Sequence, residues 1–119
     1  MAIHNDLGKA GELLAKEYLV AKGYKIVETN FRVKRAEIDI IAIDHLYLVV
    51  IEVKTRSEGY LTPIAQTVSD LKIHLLIRAA NYYVQRYQIQ KEVRFDIITV
   101  SILNSGPKIE HLIDAFYHF

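Results

Sequence analysis

The stretch Leu46–Lys54 (LYLVVIEVK) constrains the fold more than any other part of this sequence. Its branched aliphatic residues occupy both sets of alternating positions, which is typical of a strand that is buried on both faces. A strand of this kind needs a covering layer on each side, so it predicts the middle of a sheet packed between helices. The longest apolar run, Leu46–Ile51, has six residues, whereas a membrane-spanning helix needs about 20. We therefore expect no association with a membrane.

The remaining periodicities complete an α/β pattern. Apolar residues at helical spacing predict helices over residues 6–21 and 69–87, and Gly23 is expected to end the first helix. Apolar and alternating stretches predict strands over 24–30, 36–43, 46–54, 93–101 and 109–113. The order α-β-β-β-α-β-β predicts a mixed central β-sheet flanked by helices, in a single domain over residues 1–119.

Composition narrows the classes of function. Fifteen Lys and Arg against 14 Asp and Glu give a net charge of +1, so any nucleic-acid binding must come from a local basic patch. The absence of cysteine excludes a disulfide scaffold, a thiolate zinc site and a cysteine nucleophile. It also suits the reducing cytosol, and we expect a small soluble cytoplasmic protein.

Polar residues interrupt the two most apolar strands. Asp39 lies within EIDIIAI, while Glu52 and Lys54 are two residues apart and therefore share one face of their strand. A two-residue turn at Asp44-His45 would place Asp39 on that face, diagonal to Glu52 at about 7–8 Å. Two such carboxylates can share a divalent cation, and oxygen ligands favour Mg²⁺ or Mn²⁺. Lys54 would then position the attacking water or stabilise the charge on a phosphate.

The same spacing also fits an ordinary solvated sheet face with a cross-strand ion pair. The branched aliphatic residues around Asp39 and Glu52 favour a site, because a solvated face would alternate with Ser, Thr or Lys. Glu37, two residues before Asp39, is expected either to support that side chain or to pair with Arg35 or Arg56.

Basic residues near these strands are candidates for phosphate contacts around one cleft. They are Arg32, Lys34, Arg35, Arg56 and Lys72. For the cluster at 32–35 the alternative is a solvated loop, because runs of charge are commonly solvated. Tyr60, in the loop after the third strand, is a candidate for base stacking.

The combination of Glu12 on the first helix, Asp39, and Glu52-Val53-Lys54 resembles the PD-(D/E)xK nuclease motif of the restriction-endonuclease-like fold. Over nearly the whole chain the sequence is similar to the YraN family of predicted endonucleases, whose fold resembles that of archaeal Holliday-junction resolvases. The matching segments are Gly11-Glu12, Asn30 to Arg32, Glu37 to Ala42, Glu52 to Arg56, Lys72, Ala79-Ala80, Arg94 to Asp96 and Ile109 to Phe116. The resemblance implies that Asp39 and Glu52 are metal ligands, Lys54 the catalytic lysine and Glu12 an accessory acid.

These observations lead us to expect a Mg²⁺- or Mn²⁺-dependent nuclease that hydrolyses phosphodiester bonds in DNA, with branched or damaged DNA as candidate substrates. The alternative is a non-catalytic module of nuclease-like fold that binds nucleic acid or a partner protein. A third interpretation is a purely structural protein, which predicts neither metal nor nucleic-acid binding. A homodimer is expected if a junction is resolved, because one domain of this size cuts one strand.

Overall fold

This computed structural model describes residues 2–57 and 62–116, and for residues 2–5 the backbone alone. The described chain forms two helices, five strands and one short 3-10 helix. In chain order they are α1 (Ala2–Ala21), β1 (Lys25–Val33), β2 (Ala36–Asp44), β3 (Tyr47–Ser57), the 3-10 helix (Ile64–Gln66), α2 (Asp70–Arg86), β4 (Glu92–Leu103) and β5 (Gly106–Leu112).

The five strands form one mixed sheet in the order β1-β2-β3-β4-β5. Strands β3 and β4 are parallel, and the other neighbours are antiparallel. The parallel pair needs a long crossover, and α2 supplies it between the two strands. The predicted α/β fold with a mixed sheet and flanking helices is therefore confirmed.

Strand β3 is buried on both faces, as its composition predicts. Leu48 and Val50 pack in the core beneath α2, whereas Val49 and Ile51 pack in the core beneath α1. Each helix therefore covers one face of the sheet. Neither helix within the described ranges is long and apolar enough to cross a membrane.

Helix α1 ends at Ala21 as expected, because Gly23 adopts a φ of +95° that favours glycine. The helix begins at Ala2 rather than at residue 6, so the predicted start is wrong. Fully buried Ala15 and Leu19 face the sheet, with Leu14 and Tyr18 packed beside them, whereas Ala10 is exposed.

Strand β5 begins at Gly106, whereas the sequence predicts a strand from residue 109. Pro107 lies inside this strand and pairs with Ile102. Proline is found in strands mainly at sheet edges, and β5 is an edge strand with a neighbour on one side only.

Candidate active site

The hairpin between β2 and β3 sets the positions of the two predicted metal ligands. Asp44 pairs with Tyr47, so the turn is His45-Leu46 and the predicted turn at Asp44-His45 is wrong. The Asp44 carboxylate accepts a hydrogen bond from Arg94 at 3.0 Å, which holds this residue in the strand. His45 enters the turn with a φ of +54°, a region in which His is enriched among residues with a side chain.

The observed register differs from the expected one near the two carboxylates. The pairing of β2 with β3 ends at Ile40 opposite Ile51, so Asp39 and Glu52 are the first residues beyond the paired segment. The diagonal placement predicted from the sequence is therefore wrong. The turn nevertheless has an even number of residues, as predicted, and the two carboxylates lie close enough for each to perturb the other.

Asp39 lies where β2 and β3 separate. Its Oδ2 atom accepts a hydrogen bond of 2.8 Å from the backbone N–H of Val53, which orients the carboxylate. Burial raises the pKa of Asp39 above its ordinary value, the Val53 hydrogen bond and Lys72 oppose this rise, and Glu37 adds to it. A partly buried acid therefore lies beside the strand that carries Glu52.

Asp39 and Glu52 form an acid pair. Glu52 is the more deeply buried of the two, with 3% of its surface exposed. Burial and the charge of Asp39 raise its pKa to about 7, against the opposing effects of Lys72 and Lys54. Its Oε2 atom lies 3.5 Å from Lys54 Nζ and 3.7 Å from Lys72 Nζ. Its Oε1 atom is buried and has no hydrogen-bond partner among the described residues.

The two lysines reach Glu52 from different elements. Lys54 follows on the same strand and face, as its spacing predicts, and is half-buried. Lys72 comes from the first turn of α2, where Ser69 caps the helix by accepting the Lys72 N–H at 3.2 Å. The expected phosphate ligand Lys72 therefore stands within the acid pair's immediate surroundings.

Glu12 is brought toward the acids by a close contact of α1 with β3. A Cβ atom on Gly11 would lie 1.8 Å from Thr55 Oγ1, so only glycine permits this approach. Burial raises the pKa of Glu12, and the charges of Asp39 and Glu37 raise it further, while Lys16 opposes them. Because the charge of Asp39 raises the pKa of Glu12, Glu12 lies in the surroundings of the acid pair.

The predicted basic cluster at residues 32–35 lies at the end of the β1–β2 hairpin and is exposed. Arg32 is exposed and pairs with Glu37 at 3.3 Å, so the predicted pairing of Glu37 with Arg35 or Arg56 is wrong. Lys34 and Arg35 form the turn between β1 and β2 and are exposed. Tyr60 lies outside the described residues.

Arg56 points inward rather than to open solvent. Its side chain is only 10% exposed, and its guanidinium contacts Ser101 at 3.4 Å, Glu110 at 3.3 Å and the carbonyl of Thr62. These contacts tie β3 to β4, to β5 and to the segment after residue 61. Its side chain thus stabilises the sheet in this structure, where the sequence predicts a phosphate contact.

A second buried polar cluster surrounds Asp96 and was not predicted from the sequence. Arg94 donates to Asp96 at 3.0 and 2.9 Å and to the Tyr24 hydroxyl at 2.7 Å, and His111 Nε2 lies 2.7 Å from Asp96. Burial alone would raise the pKa of Asp96, but hydrogen bonds from His111, Arg94 and the Asp114 N–H lower it. Charged residues two apart in a buried strand were the available signal, the same one that marks Glu52 and Lys54.

The acid pair is the part of this site that suits a cation. Within the described ranges, no three Asp, Glu, His or Cys side chains converge in a way that could hold a metal ion. Asp39 and Glu52 supply carboxylate oxygens, the donors preferred by hard divalent cations. The unpartnered Oε1 atom of Glu52 is an acceptor that such a cation would satisfy.

Comparison with known proteins places the chain in one family. Over 119 residues it is 51% identical to a UPF0102 protein of Flavobacterium psychrophilum and 47% identical to one of Christiangramia forsetii, with full coverage of both chains in each case. A UPF0102 protein of Parabacteroides distasonis is 44% identical over 98% of this chain and 97% of its own length. Residues 11–100, which include Glu12, Asp39, Glu52 and Lys72, match the description Uncharacterised protein family UPF0102. The chain belongs to the UPF0102 family.

Proposed function

We propose that this protein is a metal-dependent nuclease that hydrolyses phosphodiester bonds in DNA, with Asp39 and Glu52 as its metal ligands. The observation that carries the proposal is the buried Oε1 atom of Glu52, which lacks a hydrogen-bond partner within the described residues. Leaving such an atom unsatisfied costs about 1–3 kcal/mol, and the adjacent Asp39 adds charge repulsion. A divalent cation between the carboxylates would offset both effects.

The donor chemistry favours Mg²⁺ or Mn²⁺ at this pair. When bound, such a cation would lower the pKa of water and neutralise charge on a phosphate. The protein's contribution is to orient the carboxylates. The Val53 N–H holds Asp39 through a hydrogen bond, and burial restricts the movement of Glu52. Both carboxylates are therefore positioned before a substrate arrives.

Lys54 and Lys72 supply the positive charge that phosphoryl chemistry needs. Both are half-buried, so their ammonium groups reach the acids while part of each side chain remains accessible. We assign Lys54 to the attacking water and the scissile phosphate, and Lys72 to a non-bridging phosphate oxygen. Glu12 is the accessory acid at the edge of the pair, since its raised pKa favours holding a proton.

The resemblance to the YraN family of predicted endonucleases supports this reaction. Its similarity in fold to Holliday-junction resolvases supports branched DNA as a substrate and a homodimer as the active form. Since DNA is the substrate, we place the protein in the cytoplasm. The alternative is a non-catalytic module that binds nucleic acid or a partner protein, and the same experiment separates the two.

The test is a cleavage panel of linear duplex, flap, four-way junction, single-stranded DNA and RNA with Mg²⁺ or Mn²⁺. We expect cleavage of at least one DNA by the wild type and loss of about 10²-fold or more in Asp39→Asn and Glu52→Gln, the scale of one lost transition-state contact. Glu17→Gln, which changes an exposed acid of α1, is the matched control and should cleave normally. Equal rates in the wild type and Asp39→Asn would refute the proposal.

Metal binding gives a second readout that does not require activity. Isothermal titration with Mn²⁺ should detect a site in the wild type that is lost in Glu52→Gln and kept in Glu17→Gln. Nucleic-acid binding that ignores both the metal and Glu52, with no cleavage of any substrate, would favour the non-catalytic module instead.

A further inference from the structure

A concavity of about 350 Å³ lies between α2 and the turn that joins β1 to β2. Leu75, Ala79 and Tyr82 of α2 supply an apolar wall, and Lys34, Arg35 and Arg78 supply three cations. We call this concavity the turn groove. Its volume falls within the range of about 300–1,000 Å³ that is typical of small-molecule sites, which suits one nucleotide.

The cations of the turn groove are available for a ligand. Lys34, Arg35 and Arg78 are exposed, and within residues 2–57 and 62–116 none of them forms an ion pair. Lys34 also adopts a φ of +55°, a left-handed conformation that glycine or asparagine would adopt at lower cost. The tight turn therefore carries two adjacent cations at a position where the backbone alone would favour other residues.

Two elements, β2 and α2, carry residues of both the turn groove and the surroundings of the acid pair. Along β2, its residue Ala36 precedes Asp39 by three positions, which is about 10 Å of extended strand. Along α2, Leu75 and Arg78 follow Lys72 by three and six residues, about 4.5 and 9 Å along the helix axis. A single strand of nucleic acid is therefore able to contact the groove and the acid pair together.

We propose that the turn groove receives one unpaired nucleotide next to the bond that is cut, so that the substrate is single-stranded or branched nucleic acid rather than continuous duplex. The base would stack on Tyr82, whose side chain is 44% exposed, and the flanking phosphates would contact Lys34, Arg35 and Arg78. A paired base inside a duplex has no free face for such stacking. This inference rests on the proposed nuclease function, because it names the substrate of that site.

Fluorescence anisotropy with labelled oligonucleotides, in EDTA to prevent cleavage, tests the groove. We expect the wild type to bind a single strand more tightly than a duplex of the same sequence. Tyr82→Ala should weaken single-strand binding about tenfold, equal to about 1.4 kcal/mol, and Tyr82→Phe should restore it because the ring remains. Lys34→Gly, which relieves the left-handed turn and so should fold well, should also weaken binding.

Salt titration separates phosphate contacts from stacking. Arg78→Ala should lower the slope of log K against log salt by about 0.7, the value for one phosphate contact in a single strand, while Tyr82→Ala should leave it unchanged. The matched control is Lys108→Ala, because Lys108 is an exposed cation on β5, at the opposite edge of the sheet from β1. It should change neither affinity nor preference.

The results distinguish the groove from the nuclease. If single-strand binding needs Tyr82 but no DNA is cut with metal, the groove stands and the proposed reaction falls. If DNA is cut in an Asp39-dependent way but Tyr82→Ala and Arg78→Ala bind like the wild type, the groove is refuted and the nuclease stands. Binding of a polyglutamate peptide in preference to every oligonucleotide would also refute the groove's assignment to nucleic acid.

Discussion

Replacing Glu52 with glutamine should stabilise the metal-free protein at alkaline pH. The pKa of this carboxyl lies near 4.5 in the unfolded chain and is raised to about 7 in the fold, because of burial and the charge of Asp39. The fold therefore favours the neutral carboxyl of Glu52. The stability that this preference contributes is fully present below pH 4.5 and is lost as pH rises through 7, where the buried carboxyl ionises. At about 1.4 kcal/mol for each pH unit, the loss amounts to about 3 kcal/mol. Glutamine resembles the neutral acid in shape and does not ionise, so the variant should avoid this loss.

Urea unfolding in EDTA at pH 4.5 and pH 8 measures this effect. Glu52→Gln should match the wild type at the lower pH and exceed it by about 3 kcal/mol at the higher pH, whereas Glu17→Gln should follow the wild type throughout. Adding Mn²⁺ at pH 8 should stabilise the wild type, by about 2.7 kcal/mol at 100 times its Kd, and should leave Glu52→Gln unchanged. Destabilisation by Glu52→Gln at pH 8 would refute the reasoning, because it would mean that the ionised carboxylate stabilises the fold.

Three further predictions concern the supporting structure. Gly11→Ala should destabilise the protein by about 1–3 kcal/mol in urea unfolding, because its Cβ has no room against β3, whereas Gly8→Ala, with open space around it, should be neutral or stabilising. Arg94→Met should cost about 3–5 kcal/mol by leaving the Asp96 and Asp44 carboxylates without their shared partner, and an unchanged denaturation midpoint would contradict this. The pKa of Asp96 is lowered in the fold, so its contribution to stability is present above its ordinary value of 3.8 and is lost as pH falls further. In Asp96→Asn, the free energy of unfolding, followed by circular dichroism, should therefore fall less steeply as acid is added.

Local sequence patterns predict the elements well and their ends less well. The two-sided apolar composition of Leu46–Lys54 identifies the central strand, and the spacing of Glu52 and Lys54 places both on one face. The predicted starts of α1 and β5 were wrong. The start of a helix, and of an edge strand that contains a proline, depends on neighbouring elements more than on local sequence preference.

The hairpin turn shows how a distant residue changes local structure. Asp44 carries a strong turn signal, yet it stays in β2 because Arg94, 50 positions away, donates a hydrogen bond to its carboxylate. The turn shifts by one residue to His45-Leu46, and the register shifts with it. This long-range ion pair thus contributes to the register that places Asp39 and Glu52 just beyond the last paired residues of β2 and β3.

Sequence by itself determined the kind of elements, the two-sided sheet and the placement of Glu52 and Lys54 on one face, because alternation and helical spacing follow from backbone geometry alone. Only the tertiary structure decided which groups meet. It brings Lys72 to Glu52 across the sheet face, ties Arg56 into the strands and leaves the Glu52 Oε1 atom without a partner among the described residues. Such contacts depend on strand register and on close helix approach, as at Gly11, and these result from packing of residues far apart in the chain.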